Sequence, residues 1–161
     1  MCSLDVFDTI ITLSSSSIKV CLFFFCFRMY DFFMCFHKHD EEVALKILNI
    51  LEEQGLHGYL EERDAAVVHS HIDNLESALT LSRKVIVLIS GHSVEDSWFH
   101  FALQSSVLSG LANPVRRNCV IPVFHNIAQD QVPSILRSVH GIQYSDTRLF
   151  WHRLTSSVRH V

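Results

Sequence analysis

An open, doubly wound parallel α/β sheet of four or five strands, with helices on both faces, is the fold this sequence predicts. Three observations predict it. From Tyr30 onward short apolar runs alternate with amphipathic segments, as βαβ units require. The runs are apolar almost throughout instead of alternating with polar residues, which suits strands covered on both faces. No repeat and no Pro- or Gly-rich linker divides the chain, and 161 residues is about one domain in length.

The elements follow in order. "DFFMCF", Asp31 to Phe36, reads as the first, central strand. "DEEVALKILNILEEQG", Asp40 to Gly55, reads as a helix: Asp40 as N-cap, Glu41 and Glu42 in the electropositive first turn, Val43, Ile47, Ile50 and Leu51 at helical spacing, Gly55 as the stop. "LHGYL", Leu56 to Leu60, is a weak strand that suits a sheet edge, followed by a polar loop from Glu61 to about His69. A helix is expected over His71 to Ser82, with Ile72, Leu75 and Leu79 on its inner side. "KVIVLIS", Lys84 to Ser90, is the clearest strand, bounded by polar residues and rich in β-branched side chains. A turn over Gly91 to Asp96 leads to a helix starting near Ser97, and "NCVIPVF", Asn118 to Phe124, is a fourth strand. The stretch from His125 to Thr147 is ambiguous, with room for a short helix over Pro133 to Val139 and an edge strand over Ile142 to Tyr144. Thr147 to Val158 closes the chain as a helix that buries Leu149, Phe150, Leu154 and Val158.

Composition excludes several functions. Thirteen Lys and Arg against seventeen Asp and Glu leave a charge of -4, and no basic run could track a phosphate backbone, so nucleic acid is not an expected partner. The five cysteines are odd in number, lack a C-x-x-C and sit mostly in apolar runs, which suits reduced thiols in a cytoplasmic compartment. The serine tract Ser14 to Ser17 precedes "VCLFFFCF", an apolar run of eight residues that is too short to span a bilayer. Lys19, Arg28 and Asp31 interrupt any longer span, each costing about 2.5–3.5 kcal/mol at bilayer depth. Asp5 and Asp8 ahead of the run argue against a signal peptide. Residues 1 to 29 are expected to be a leader, disordered or foreign to the fold, and residues 30 to 158 the domain.

Ligand sites in such sheets form at the carboxyl ends of the strands, so the loops at 37 to 40, 61 to 70 and 91 to 97 matter most. No G-x-G-x-x-G or Walker pattern follows a strand, and five glycines could not supply one together with the turns. "HKH", His37 to His39, and "HSH", His69 to His71, raise a metal site, but neither pair has Cys or carboxylate companions at zinc spacing, and solvated loop histidines are the expectation. There is no G-x-S-x-G elbow, and Cys35 and Cys119 lie in or at strands as small buried hydrophobes. No cofactor, no metal and no placed nucleophile is therefore expected.

Three stretches at wide spacing resemble one family. "YDFFMCF", with the aromatic-Asp pair Tyr30 and Asp31 before Phe33, resembles the first box of the Toll/interleukin-1 receptor (TIR) domain. "LEERD", Leu60 to Asp64, resembles the second box, and "LFWHRL", with Phe150 and Trp151, the third. "SRKVIVLIS", the Ser97-Trp98 pair and "VIPVF" fall between them in the family's order. "VPSILRSVHGIQY", Val132 to Tyr144, and the Phe-Trp-x-x-Leu ending are most similar to Toll-like receptors and their myeloid-differentiation adaptor. The resemblance implies a flavodoxin-like fold and function by TIR to TIR docking in innate immune signalling. Partners would be other TIR domains, with weak self-association, and membranes would be met only through receptor partners.

The same resemblance assigns the docking loop to Glu61, Glu62, Arg63, Asp64, Ala65, Ala66, Val67, Val68 and His69. In it Arg63 offers a fork for a carboxylate, Asp64 a cap or a pair, and the small residues an apolar tip. Val67 and Val68 stand where the family commonly has Pro-Gly, which removes both a fixed φ and a permissive one. The first- and third-box aromatics Phe32, Phe33, Phe150 and Trp151 are expected in the core. TIR domains that cleave NAD carry a glutamate four residues beyond a tryptophan-like position, where a carboxylate can hold ribose hydroxyls and stabilise an oxocarbenium-like state. Counting from Trp98 reaches Ala102. The expectation is a non-enzymatic module in which Trp98 is a packing anchor, with an NAD hydrolase using Glu95 or Asp96, or a decoy that blocks signalling, as the alternatives.

Overall fold

The computed structural model describes residues 29–65, 70–112, 118–137 and 139–160. Five parallel strands make one sheet: β1 (Tyr30–Cys35), β2 (Gly58–Tyr59), β3 (Ser82–Ile89), β4 (Val120–Phe124) and β5 (Ile142–Gln143). Their order is β2-β1-β3-β4-β5, with every neighbouring pair parallel. That is the flavodoxin-like order, in which the chain reverses its direction of travel between β1 and β3. The first strand is therefore interior, but β3 is the centre, and β2 and β5 are the edges.

Helices α1 (Glu41–Glu53) and α5 (Arg148–Arg159) cover one face of the sheet, α3 (His71–Leu81) and α4 (Ser97–Ala112) the other. Alternate residues of one strand feed the two cores. Phe32, Met34, Ile86 and Leu88 pack with Ile47, Leu48, Leu51, Phe150 and Leu154, while Phe33, Cys35, Val85, Val87 and Ile89 pack with Leu75, Ala78, Phe99 and Leu103. The period-2 alternation of side chains explains why the strands read as continuously apolar. Close approach at Gly58 leaves no room for a side chain, since a Cβ would collide with the side chains of Leu48 and Phe32. Gly55, at φ +81°, ends α1 in the left-handed conformation, and the Leu56 N–H closes back on the Leu51 carbonyl at 3.2 Å.

Several local expectations are corrected. The segment after β2 opens with a short helix, α2 (Glu61–Asp64), instead of a loop, because the Asp64 Oδ2 reaches back to accept the Leu60 N–H at 2.9 Å. Asp40 sits at the start of α1 but makes no side-chain cap; it lies in a 3-10 turn, Lys38–Asp40, and its carboxylate turns into the protein. In α3, Ile72 faces outward at 57% exposure, and Asn74 and Ala78 join Leu75 and Leu79 inside. In α1, Ala44 and Leu48 take inner positions along with Ile47 and Leu51, while Val43 and Ile50 are half-buried. Leu149 is exposed on α5, whose inner side is Phe150, Leu154, Thr155 and Val158. A helix that wraps a twisted sheet buries a wider arc than any single i, i+4 row, so the row chosen from sequence can be off by one position. The 3-10 turns Ser93–Glu95 and Ser134–Leu136 fall where a turn and a short helix were expected.

None of the described helices is long and apolar enough to cross a membrane. The leader expected over residues 1–29 lies, Met29 apart, outside the described residues.

Candidate functional site

A cleft of about 580 Å³ opens at the carboxyl end of β1, between the segment that follows β2 and the first turns of α3 and α4. Its inner wall is apolar, with Phe33, Leu75, Phe99 and Ala102, and its rim is polar, with His37, Lys38, Glu61, Glu62, His71 and Asp96. Volume and lining both fit a ligand- or peptide-sized cleft.

Two loops shape the rim and are fastened to one another. Ser90, just beyond β3, donates its hydroxyl to the buried Asp40 carboxylate, beyond β1. The same hydroxyl accepts the Ser93 N–H at 3.2 Å, and Ser93 Oγ accepts the Ser90 N–H at 2.8 Å. Asp40 also faces His125 Nδ1, beyond β4, at 3.7 Å. The Asp40, Ser90 and Ser93 side chains thus pin the ends of β1 and β3 together. Asp96 then starts α4: its Oδ1 accepts the N–H groups of Trp98 and Phe99 at 2.6 and 3.0 Å, satisfying two of the helix's unpaired donors. Its other oxygen lies 3.3 Å from His37 Nε2.

The second-box residues divide. Arg63 is exposed but folds back onto its own domain: its guanidinium donates to both Glu52 oxygens on α1 at 3.2 and 3.0 Å, to the Gly58 carbonyl, and to Asp64 at 3.0 Å. The fork expected to meet a partner's carboxylate is thus committed to residues of its own domain, and these contacts, Asp64 first and then Glu52, raise its pKa further. Asp64 both caps and pairs. Glu61 and Glu62 stay at the rim, with Glu61 Oε1 3.0 Å from His71 Nδ1, and Ala65 lines the cleft. Ala66, Val67, Val68 and His69 lie outside the described residues.

The first and third boxes are framework. Asp31 accepts the His57 N–H at 2.9 Å and Arg83 Nη1 at 3.1 Å, tying β1 to the segments on either side. The Tyr30 ring meets Tyr59 edge-on at 5.1 Å. Phe33 and Phe150 are buried, and the half-buried Trp151 donates its indole N–H to Asp146 at 3.1 Å.

Trp98 is the main correction at the site. It is 39% exposed and forms a wall of the cleft, its ring 5.8 Å from His71 and 5.3 Å from Phe101, itself 42% exposed. The anchor of the first turn of α4 is its neighbour Phe99, 2% exposed. Ala102, one turn further on, is 4% exposed and lines the cleft. Cys35 also lines it, but burial, with the charge of Glu61 adding to it, pushes its thiol up to about 12, so it stays protonated and unreactive at neutral pH. Glu95 is exposed in its 3-10 turn. Glu61 belongs to the loop expected at the carboxyl ends of the strands, but its contact with His71, ten residues on, was not foreseen.

Fold and cleft together define an α/β domain built around a topological switch point. Residues 32–155 match the family model of the TIR domain, and the chain belongs to that family. Among curated relatives it is 22% identical over 116 residues to human TIR domain-containing adapter molecule 2, covering 69% of this chain and 49% of the relative. It is 35% identical over 92 residues to mouse Toll-like receptor 5, covering 51% of this chain and 11% of the receptor. The chain thus spans about half or less of these relatives. Among solved structures, the TIR domain of the Toll-related receptor TRR-2 from Hydra magnipapillata superposes with a TM-score of 0.70 at 21% identity, covering 82% of this chain and all of that one. A metazoan TIR-STING receptor from C. gigas gives 0.71 at 24% identity, over 83% of this chain and 40% of the other. At these identities the structural likeness speaks for the fold.

Proposed function

We propose that this chain is a non-enzymatic TIR to TIR interaction module of innate immune signalling, acting in the cytoplasm on TIR domains of receptors or adaptors. The observation that carries the reading is Ala102, a methyl group lining the cleft where the resemblance puts the glutamate of NAD-cleaving members. A methyl group can neither hold ribose hydroxyls nor stabilise a developing cation. Apolar side chains left in solvent on α3 and α4, among them Ile72, Trp98 and Phe101, support docking. Weak self-association becomes strong only when copies are clustered, because effective concentration replaces affinity.

One observation favours a second reading. Glu61 puts a carboxylate on the same cleft, against His71, so an NAD hydrolase with a displaced acid would use Glu61 in preference to Glu95, which is exposed, or Asp96, whose carboxylate is spent on the helix cap. The two readings separate in one pair of assays. Purified chain incubated with NAD under crowding is expected to release no nicotinamide; release that disappears in Glu61→Gln would overturn the non-enzymatic reading. In cells, overexpression is expected to move an NF-κB-type reporter, and Trp98→Ala with Phe101→Ala to abolish the effect. A rise marks an activating adaptor, and suppression marks a decoy. Arg63→Ala reports on loop placement, since that side chain holds Glu52 and Gly58 within the domain.

A further inference from the structure

We propose that the cleft at the carboxyl end of β1 takes the guanidinium of an arginine side chain brought by a docking partner, held by Glu62, Trp98 and Asn74. Only the source of the arginine rests on the docking function above; the choice of a guanidinium rests on groups that the domain leaves unused. Asn74, in the first turn of α3, lines the cleft at 9% exposure. Its backbone N–H closes on the Ser70 carbonyl at 2.9 Å, but its side-chain amide makes no hydrogen bond with any described residue. A buried amide left without a partner is costly, and a bound guest satisfies it. Glu62, on α2, is exposed on the rim and has no ion-pair partner among the described residues. Its neighbour Arg63 is committed to Glu52 and the Gly58 carbonyl.

The rest of the lining narrows the guest. Glu61, Glu62 and Asp96 line the cleft against Lys38, its single Lys or Arg among the described residues, so a cation is favoured. Glu61 is met by His71 at 3.0 Å, and Asp96 is held by its helix cap and by His37, which leaves Glu62 as the acceptor for an incoming charge. Trp98, 39% exposed, offers an indole ring beside them, and Leu75 and Phe99 supply apolar wall for a methylene stem. A quaternary ammonium has no N–H for Glu62 or Asn74, and a lysine ammonium is a compact, strongly hydrated point charge. A guanidinium is planar and carries its N–H donors in a fixed fork. It can lie on the indole, give two N–H groups to the Glu62 carboxylate and another to the Asn74 side-chain carbonyl.

Titration of the isotope-labelled full chain with N-acetyl-arginine methylamide, followed by NMR at the tryptophan indole N–H signals, tests the site without a partner. The chain has two tryptophans, and Trp151 packs against the core on the other face of the sheet, so it serves as the control. A saturable shift is expected at Trp98 and none at Trp151. The matching citrulline compound, uncharged and of nearly the same shape, should bind about fivefold or more weakly, and Glu62→Gln should weaken arginine binding to a similar extent. Asn74→Leu should weaken it about threefold or more while the melt of the unliganded chain holds or rises, because the amide has no partner to lose. No saturable shift at Trp98, equal affinity for arginine and citrulline, or a Glu62→Gln chain that binds as wild type would overturn the proposal. A chain that moves the reporter yet ignores the arginine compound keeps the docking function and loses this site; a chain that binds it as expected yet moves no reporter does the reverse.

Discussion

The two faces of the sheet are closed in different ways. Over the α1 and α5 face the outer rim is mostly polar and stitched, with Leu149 its single large apolar side chain in solvent among the described residues: Lys46 to Asp146 at 2.7 Å, Thr155 Oγ1 to Gln54 Oε1 at 2.8 Å, and Arg159 to the Gln54 carbonyl at 2.8 Å. Over the α3 and α4 face the inner positions are equally well buried, but the outer ones are apolar. Ile72, Leu108 and Leu111 are 57%, 60% and 74% exposed, and α4 carries large apolar residues on both its sides. Identical strands thus support one face finished largely as a polar surface and one with several hydrophobic side chains left in water. Since burial of apolar area is the main stabilising term, a side chain that stays exposed contributes little to folding and remains available for association.

That contrast can be broken by mutation. Leu154→Ala, at a fully buried position of the stitched face, should cost about 2–5 kcal/mol by chemical denaturation. Gly58→Ala should cost about 1–3 kcal/mol, because its methyl group meets Leu48 and Phe32, and a Leu48→Ala background should recover part of the loss by making room. Leu108→Ala, on the open face, should change stability by no more than about 0.5 kcal/mol while reducing self-association in sedimentation or light scattering. A loss comparable to that of Leu154→Ala would mean that the two faces are not different in kind.

The stitch itself is sharpened by pH. Bonds from Lys46 and then Trp151 lower the pKa of Asp146, so the unfolded chain takes up that proton first as pH falls. Its stabilisation is whole above the ordinary Asp range and is lost as pH falls through the lowered folded value. Lys46 is shifted upward, chiefly by its bond to Asp146, and its share is lost only as pH rises through the raised folded value. The melting difference between wild type and Asp146→Asn should be largest between those limits and vanish in strong acid. With no effect on stability at all, Cys35 should resist iodoacetamide at pH 8 until the chain unfolds, as followed by peptide mass mapping.

Much of the fold was legible because burial leaves a periodic mark. β3 reads as a strand from seven consecutive residues, and α1 from its acidic first turn and Gly55. The short elements were harder: β2 and β5 are two residues each, too brief for a period to show. α2 was missed because its four residues look like any polar loop until Asp64 closes on Leu60. At the site, Ala102 was reached by counting along one helix from Trp98, and the family resemblance told which position mattered. The exposure of Trp98 was not legible, since Trp98 and Phe99 are adjacent aromatic residues, and only the direction of α4 against the sheet decides which of them is buried.

The class of fold, the order of its main elements, the boxes of the family and the absence of a carboxylate at position 102 are all legible in the residues alone. These are properties of one segment at a time, written in spacing and residue type. The tertiary structure alone decided that Arg63 grips Glu52 and Gly58, that Glu61 reaches the cleft, that Ser90 fastens Asp40, and that His92 joins His37 and His39. Each of those is an encounter between segments far apart in the chain. No periodicity links such residues, and it is the crossover from β1 through β2 to β3 that sets their loops side by side.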